Sequence, residues 1–317
     1  MSLDLKLFIE GKDMSNEIGI INAVHDSYAG DFTDSVVATL QDKDGTWSKW
    51  RPRVGERLEV QLGQAKTGLM YIHKLTAKNG VYEVTARALP PLKNSLRNDE
   101  WESITFLQAA KTIADRLGLS LESHGVEDRT YKRLFQDGET DTAFLRRLCH
   151  QEAAEMLIYD GKLVVYDVAS MERQQPLRKI DFTGKGDFSF IQNEAQRVGE
   201  VQVIRSKLTG SELDQTYENL IDQSYSSGEG IKLTYSDLMP NDDGEALRWA
   251  QNLLFSANSY LKTGRFKLSL QLDLAAGSVI EVKNDRASAW NGTVFLYRVK
   301  HDFKAQVTTL YFRGLHE

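Results

Sequence analysis

The residue pair that first suggests chemistry is Cys149–His150, a thiol beside an imidazole. These are the two groups of a cysteine nucleophile and its general base. Both lie in a stretch with helical periodicity, where adjacent side chains point apart and cannot meet. Cys149 shares the apolar stripe of that helix with Phe144, Leu145 and Leu148. We therefore interpret Cys149 as an unreactive core thiol.

Carboxylates and histidines raise two further possibilities. Glu152 and Glu155 follow on the same predicted helix, and a pair of carboxylates across a cleft is what a glycosidase needs. A solvated helix face is the simpler interpretation. His150 and Glu152 lack the second histidine, four residues on, of a zinc-protease helix, and the other histidines are scattered. No catalytic residue, metal or cofactor is predicted, and His301 is interpreted as a strand histidine bonded to a neighbour.

Two tryptophans, Trp47 and Trp50, alternate with the basic residues Lys49, Arg51 and Arg53. Such a segment can stack single-stranded nucleic acid. The alternative is a loop whose rings pack on a neighbouring surface while the cations stay hydrated. The formal net charge of -6 favours the second interpretation, because dedicated nucleic-acid binders are basic.

The sequence also contains an internal repeat. Residues 55–89 align with residues 277–315 if one four-residue insertion is placed in the later copy, and each copy predicts three strands in the same order. The outward-facing Glu59 and Glu281 occupy equivalent positions. The coinciding pairs are Gly55/Gly277, Glu59/Glu281, Val60/Val282, Tyr71/Tyr297, Lys74/Lys300, Val81/Val307, Arg87/Arg313 and Leu89/Leu315.

The rest of the pattern predicts three domains. Residues 1–89 read as strands, and Pro90–Pro91 ends the first sheet. Residues 90–177 form an α+β insertion with a helix at 104–117, a second helix capped by Thr140 or Asp141, and a hairpin turning at 160–161. Residues 178–317 return to strands, with a long exposed loop or hairpin at 209–230 and a helix at 244–261. The predicted fold class is α+β, mainly β, with two similar barrel-like antiparallel β tube domains flanking the insertion.

Composition sets the remaining limits. The chain has 317 residues, 41% hydrophobic and 26% charged, which is typical of soluble globular proteins. The single cysteine excludes an intrachain disulfide and suits folding in a reducing cytoplasm. No membrane span is predicted.

Two sequence runs resemble the late control protein D family of phages, the hub proteins of contractile tails, whose relatives include the hub portion of the spike protein VgrG. The C-terminal run has a glycine at 277 before an apolar strand, then Val299, His301, Thr308 and Leu310. The first run comprises Tyr131, Gln136, Gly138, Glu139, Thr140 in place of the family's serine, Asp141, Phe144, Leu145, Arg147 and Leu148.

The resemblance implies a structural role without enzymatic activity. Three copies would form a homotrimeric ring, and the two tube domains of each copy would adapt the three-fold spike to the six-fold tail tube. The implied partners are the tail tube protein, the spike protein and, as a further candidate, the tape measure protein. The implied location is the virion tail baseplate, assembled in the host cytoplasm. No barrel or repeat domain follows in this sequence, so the spike is expected to be a separate chain.

The hypothesis of a trimeric hub suggests roles for four residues. Trp47 and Trp50 are candidates for apolar surface buried between subunits. Glu59 and Glu281 are either ordinary solvent-facing acids or line the lumen or a subunit seam, where negative charge lets DNA pass without specific binding. Two alternatives remain open: a cell-wall-degrading peptidoglycan hydrolase using Glu152 and Glu155, and a nucleic-acid-binding loop around Trp50.

Overall fold

The computed structural model describes residues 5–15, 19–30, 33–50, 52–183, 187–211 and 214–316, with backbone alone at 48, 208–211 and 214–217. Its N-terminal region, here the first module, is almost entirely strand. The strands bury alternate residues, as in β4, where Val36, Ala38 and Leu40 point into the core. The elements are β1 (Leu5–Ile9), β2 (Lys12–Asp13), β3 (Ile20–Tyr28), β4 (Ser35–Gln41), α1 (Thr46–Trp50), β5 (Arg57–Leu62), β6 (Ala65–Lys66), β7 (Met70–Lys78) and β8 (Val81–Arg87).

The central region mixes helices and strands. The first long helix begins at a capping box formed by Thr105 and Gln108 and ends at Gly118, whose φ of 74° suits a glycine. The predicted turn at Asp160–Gly161 is confirmed, with φ of 46° and 73°. The elements are β9 (Leu96–Thr105), α2 (Phe106–Leu117), β10 (Ser120–His124), β11 (Thr130–Thr140), α3 (Asp141–Gln151), β12 (Ala154–Tyr159), β13 (Lys162–Asp167) and α4 (Val168–Glu172).

The C-terminal region returns to strands. The segment predicted as a loop or hairpin at 209–230 is a hairpin, and the long helix is capped by Asp242 and ends at Ala257, before the predicted 261. The elements are β14 (Lys179–Asp181), β15 (Phe188–Gln192), β16 (Val198–Ser211), β17 (Asp214–Ser226), β18 (Ile231–Tyr235), α5 (Asp243–Ala257), β19 (Lys262–Ser269), β20 (Val279–Lys283), β21 (Gly292–Asp302) and β22 (Val307–Gly314), with short 3-10 helices at Glu194–Gln196 and Asp285–Trp290.

Strand order confirms that the chain carries two similar β modules. The first module pairs its strands in the order β1-β5-β7-β8-β4-β3. The second module, defined as β14, β15 and β19 to β22, pairs them in the order β14-β20-β21-β22-β19-β15. One difference is that β14 runs parallel to β20, whereas β1 is antiparallel to β5.

Backbone hydrogen bonds correct the alignment of the repeat by two residues in its middle strand. The Gly55 amide donates to the Ile72 carbonyl at 2.8 Å, and the Gly277 amide donates to the Leu296 carbonyl at 2.8 Å. Ile72 is therefore equivalent to Leu296, so the predicted pairs Tyr71/Tyr297 and Lys74/Lys300 are wrong. The insertion is divided between the β20–β21 connection and the β21–β22 turn. A two-residue shift keeps the inward and outward faces of a strand, which hid the error in the sequence.

The two modules are fused by a strand seam. Strand β3 of the first module pairs antiparallel with β21 of the second, from Tyr28 opposite Arg298 to Val24 opposite Asp302. The result is one sheet of 14 strands in the described residues. The predicted fold class, α+β and mainly β, is confirmed. The barrel-like closure is wrong for the single chain, because in the described residues no ladder joins β1 to β3 or β14 to β15, the end strands of each module.

Apolar side chains form separate cores in the two modules and a larger one in the centre. The central core joins the insertion, through residues such as Phe144 and Ile113, to β16 and α5, through Val201 and Trp249. This packing favours grouping residues 198–254 with the insertion, while the limits 1–89, 90–177 and 178–317 remain a prediction. Across the described ranges, no helix is both long and apolar enough to cross a membrane.

Candidate functional site

Asp141, from the run that resembles the hub family, is fully buried at the start of α3. Its carboxylate accepts hydrogen bonds from Arg97 and Arg116, both at 3.2 Å, and from Gln136 at 3.1 Å. Thr140, not Asp141, caps the helix by accepting from the Ala143 amide. A buried carboxylate needs such paired donors to remain charged. Asp141 therefore holds β9, β11 and α2 together.

Arg147 has a similar role further along α3. Its guanidinium donates to both Glu139 oxygens, at 3.1 and 2.7 Å, and to the Phe135 carbonyl at 2.8 Å. It also lies 5.3 Å from the centre of the Phe144 ring, which stacks on Trp101. Packing of the ribbon β9–β11 against α2 and α3 thus explains the residues of this run, and no catalytic role is needed to account for them.

Both carboxylates proposed for a hydrolase are mostly buried, and the oxygens of Glu152 accept hydrogen bonds, whereas Glu155 Oε2 accepts none among the described residues. Glu152, with a side chain only 4% exposed, accepts two hydrogen bonds from Arg248, both at 3.1 Å, and one from the Trp249 indole at 2.9 Å. Glu155 lies 3.5 Å from His150 and is mostly buried. Glu152 therefore anchors α5 to the end of α3 and offers no free oxygen to a substrate.

The thiol and the strand histidine fit their structural interpretations. Cys149 is fully buried, and this burial raises the pKa of its thiol well above the ordinary value. His301 contacts the Thr308 hydroxyl at 2.9 Å and the Leu274 carbonyl at 3.2 Å, and burial lowers its pKa. Among the residues that the structure describes, no three His, Cys, Asp or Glu side chains are grouped as metal ligands would be.

One arrangement that the sequence did not suggest has the order of a catalytic triad. The Ser259 hydroxyl lies 2.8 Å from His316 Nε2, and His316 Nδ1 lies 2.8 Å from Glu172. Glu172, however, is also paired with the buried Arg313, and the Ser259 hydroxyl also donates to the Phe255 carbonyl in the last turn of α5. Burial favours a raised pKa at Glu172, but His316 and Arg313 hold the pKa below its ordinary value. We interpret the cluster as an anchor of the C-terminal segment onto α4 and α5.

The two tryptophans lie in different environments. Trp47 is 1% exposed and stacks on Tyr82 with ring centres 5.6 Å apart, so its surface is unavailable to a partner. This is a correction for Trp47 as an interface residue, because the short helix α1 turns its ring into the core of the first module. Trp50 is 43% exposed and remains a candidate. Arg51 lies outside the described residues.

The two outward glutamates do occupy equivalent places in β5 and β20. Glu59 pairs with Lys66 at 3.2 Å, and Glu281 pairs with Lys179. Both therefore have a basic neighbour that reduces their local negative charge. Their position at a lumen or a subunit seam stays a prediction.

A cavity of about 290 Å³ lies at the β3–β21 seam, lined by both modules and by the insertion. His25 and His301 face each other there, with ring centres 6.2 Å apart, and His25 Nε2 lies 3.9 Å from Asp34. Burial, and next the neighbouring His301, lower the pKa of His25 to about 3. Burial raises the pKa of Asp34 to about 7, opposed by the hydrogen bond from the Tyr28 amide.

Comparisons with solved structures place this fold among tail proteins. A tail protein from Neisseria meningitidis MC58 superposes with a TM-score of 0.73 at 14% identity, covering 98% of this chain and 96% of that one. The 43 kDa tail protein of prophage MuSo2 from Shewanella oneidensis gives 0.73 at 12% identity, covering 99% and 98%. Neither protein-family models nor curated proteins give a match.

A more distant likeness extends to secretion systems. An E. coli component of the type VI secretion system, itself described as similar to the T4 bacteriophage tail proteins gp27 and gp5, superposes with a TM-score of 0.58 at 14% identity, covering 98% of this chain and 77% of that one. The chain therefore has the fold shared by these phage tail and type VI secretion proteins, as its resemblance to the late control protein D family implied.

Proposed function

We propose that this protein is a structural hub of a phage or phage-like contractile tail, in which three copies form a ring between the six-fold tail tube and the three-fold spike. The observation that carries the proposal is the duplicated module, with six strands in the same order in each half of the chain. Three chains then supply six similar docking surfaces. A three-fold assembly whose chains each carry the docking surface twice can match a six-fold one at all six positions.

The side chains support a scaffold better than a catalyst. The carboxylates and the thiol that chemistry would need are buried or occupied by partners in the chain, as Glu152 and Cys149 show. Exposed apolar residues such as Trp50, Leu96 and Ile191 remain for contacts between proteins. The tail tube, spike and tape measure proteins, the virion baseplate as the location and assembly in the host cytoplasm belong to this proposal.

The mass of the purified protein in solution tests the ring. Mass photometry and sedimentation velocity, at nanomolar and micromolar chain concentrations respectively, should give a species of three times the chain mass of 35.9 kDa. The trimer fraction should rise with concentration, because its interface is non-covalent. A stable dimer, or a chain that stays monomeric even with its cognate spike protein present, would contradict the proposal.

A further inference from the structure

The seam within the chain joins the last strand in the pairing order of one module, here called its outer strand, to a strand of the other. The side of that second strand that faces away from its neighbour in the same module is here called its flank. Residues 24–28 of β3 pair with residues 298–302 of β21, and the opposite side of the same β21 residues pairs with β22. Because the chain carries each module once, the seam uses the outer strand of the first module and the flank of the second. The outer strand of the second module and the flank of the first have equivalent geometry.

The equivalent flank is the second half of β7. The ladder β7–β8 has a bulge between Ile72 and Lys74, and the ladder β21–β22 has a bulge between Leu296 and Arg298. With Ile72 equivalent to Leu296, residues 74–78 take the place of residues 298–302.

The equivalent outer strand is β15. His25 of β3 lies opposite Val36, which lies opposite Ala86 in β8. In the second module Phe190 of β15 lies opposite Gly264, which lies opposite Phe312 in β22. Ala86 and Phe312 correspond, because each also pairs with the residue that precedes the bulge in the neighbouring strand, Ile72 in β7 and Leu296 in β21. Phe190 therefore takes the place of His25, and residues 189–193 that of 24–28.

Both edges have room for another strand. In the described residues of the sheet, β15 pairs with β19 alone, and residues 74–78 pair with β8 alone. Ile191 is 57% exposed, and Lys74, Ala77 and Lys78 are exposed. An uncovered strand edge with an exposed apolar side chain is a template for pairing with another chain.

We propose that β15 of one copy pairs antiparallel with β7 of the next copy, in a register that repeats the internal seam and places Ile191 opposite Thr76, Ser189 opposite Lys78 and Asn193 opposite Lys74. The pairing rests on the proposed ring. It is a head-to-tail contact, which forms a closed ring only when the rotation from copy to copy closes, and the proposed ring requires closure after three copies. In this register Lys78 lies diagonal to Asp187 of the other copy, a carboxylate that also pairs with Arg265 and Lys267 of its own chain.

The lysines of β7 have a second interpretation, since lysine at a sheet edge also protects monomers from pairing. The internal seam argues against it. Arg298 occupies the position equivalent to Lys74 and is fully paired there, through Asp26 of β3. A basic residue at this point therefore tolerates a strand on that flank. In the proposed register the residue equivalent to Asp26 is Ile191, so the Lys74 ammonium would extend past an apolar side chain into solvent.

A disulfide scan of the full-length chain tests the register. Thr76→Cys combined with Ile191→Cys should form covalently linked trimers under mild oxidation, seen on a non-reducing denaturing gel, because directly opposed strand residues lie within disulfide reach. The matched control is Ala77→Cys with Ile191→Cys, whose side chains lie on opposite faces of the sheet. Cross-linking of the control should be at least about tenfold slower, since its sulfur atoms cannot meet without backbone movement. Each single variant, which keeps the buried Cys149, should form no linked trimer.

The mass before oxidation separates the two proposals. If the double variant is a trimer and the in-register pair links no faster than the control, the strand pairing is wrong while the ring stands. If the unoxidised chain does not assemble into trimers, the ring and the pairing are both wrong. Rapid in-register linking in a trimer supports the pairing.

Discussion

Arg298 donates two hydrogen bonds to Asp26 across the seam between the modules, at 2.8 and 2.6 Å. The guanidinium lies between the rings of Tyr28 and Tyr311, 5.1 and 4.6 Å from their centres. Hydrogen bonds to Asp26 raise the pKa of Arg298 above its already high value, so the guanidinium stays charged. This contact helps to fix the first module to the second.

Removing the contact between Arg298 and Asp26 should lower the stability of the folded protein. Arg298→Ala is expected to lower the free energy of unfolding by about 2 kcal/mol, because it leaves a half-buried carboxylate without its partner. Urea denaturation measures the change. The matched control is Lys111→Ala, which removes an exposed pair with Asp115 and should cost less than about 0.5 kcal/mol. Equal losses in the two variants would mean that the seam pair contributes nothing beyond an ordinary surface pair.

Asp141 should be among the least replaceable side chains. Asp141→Ala leaves Arg97 and Arg116 without their buried carboxylate, so we expect a loss of about 3–5 kcal/mol in unfolding free energy. Asp115→Ala, at an exposed carboxylate, serves as the control. Thermal unfolding followed by circular dichroism checks both. A wild-type melting temperature in Asp141→Ala would show that the network is dispensable.

Substitution of Glu152 distinguishes a structural role of the protein from hydrolase activity. Wild-type protein should release no labelled peptidoglycan above background, and Glu152→Gln should instead lower stability by about 2–4 kcal/mol, because Arg248 loses its charged partner. Glu102→Gln, at an exposed site, is the control for both assays. Hydrolysis by the wild type that disappears in Glu152→Gln but not in Glu102→Gln would favour the enzyme.

The seam cavity should give opposite pH dependences in two variants. His25 has a folded pKa of about 3, below its ordinary 6.5. On acidification the unfolded state therefore binds a proton at His25 at a higher pH than the folded state does, and stability falls as pH drops from about 6.5. Asp34 has a folded pKa of about 7, above its ordinary 3.8, so stability falls as pH rises from about 4 to 7. The two slopes oppose each other between about pH 4 and 6.5 in the wild type.

Each variant should therefore reveal the slope of the remaining group. Relative to the wild type, Asp34→Asn should gain stability with rising pH in that window, and His25→Asn should lose it, by up to about 1.4 kcal/mol per pH unit. Urea midpoints from pH 4 to 7 measure both. Parallel pH profiles for the two variants and the wild type would show that neither group titrates as its burial requires.

The sequence predicts those elements whose residues alternate between core and solvent. The three strands of each repeat were found because residues such as Leu58, Val60 and Leu62 mark one buried face. The alternation does not reveal the ribbon β9–β11, since four of the ten residues of β9 are charged and Trp101 is its one buried residue. The division of the insertion between two turns was also hidden, because a two-residue slip leaves the alternation unchanged.

Contacts between distant elements could not be read from spacing. Glu172, Ser259 and His316 are far apart in the chain and meet only because α4, α5 and the C-terminal segment pack together. Trp47 and Trp50 have the same local pattern but opposite exposure, since the turn of α1 determines which ring enters the core. The signature around Asp141 identified the fold correctly, although its residues are explained by packing.

Electron cryomicroscopy of the assembled protein tests the central claim most directly. Class averages viewed along the ring axis should show three chains arranged as six similar lobes around a channel, with strands of adjacent copies continuous at β7 and β15. A ring with a number of chains other than three, or three chains whose two modules lie at unrelated radii, would contradict the account.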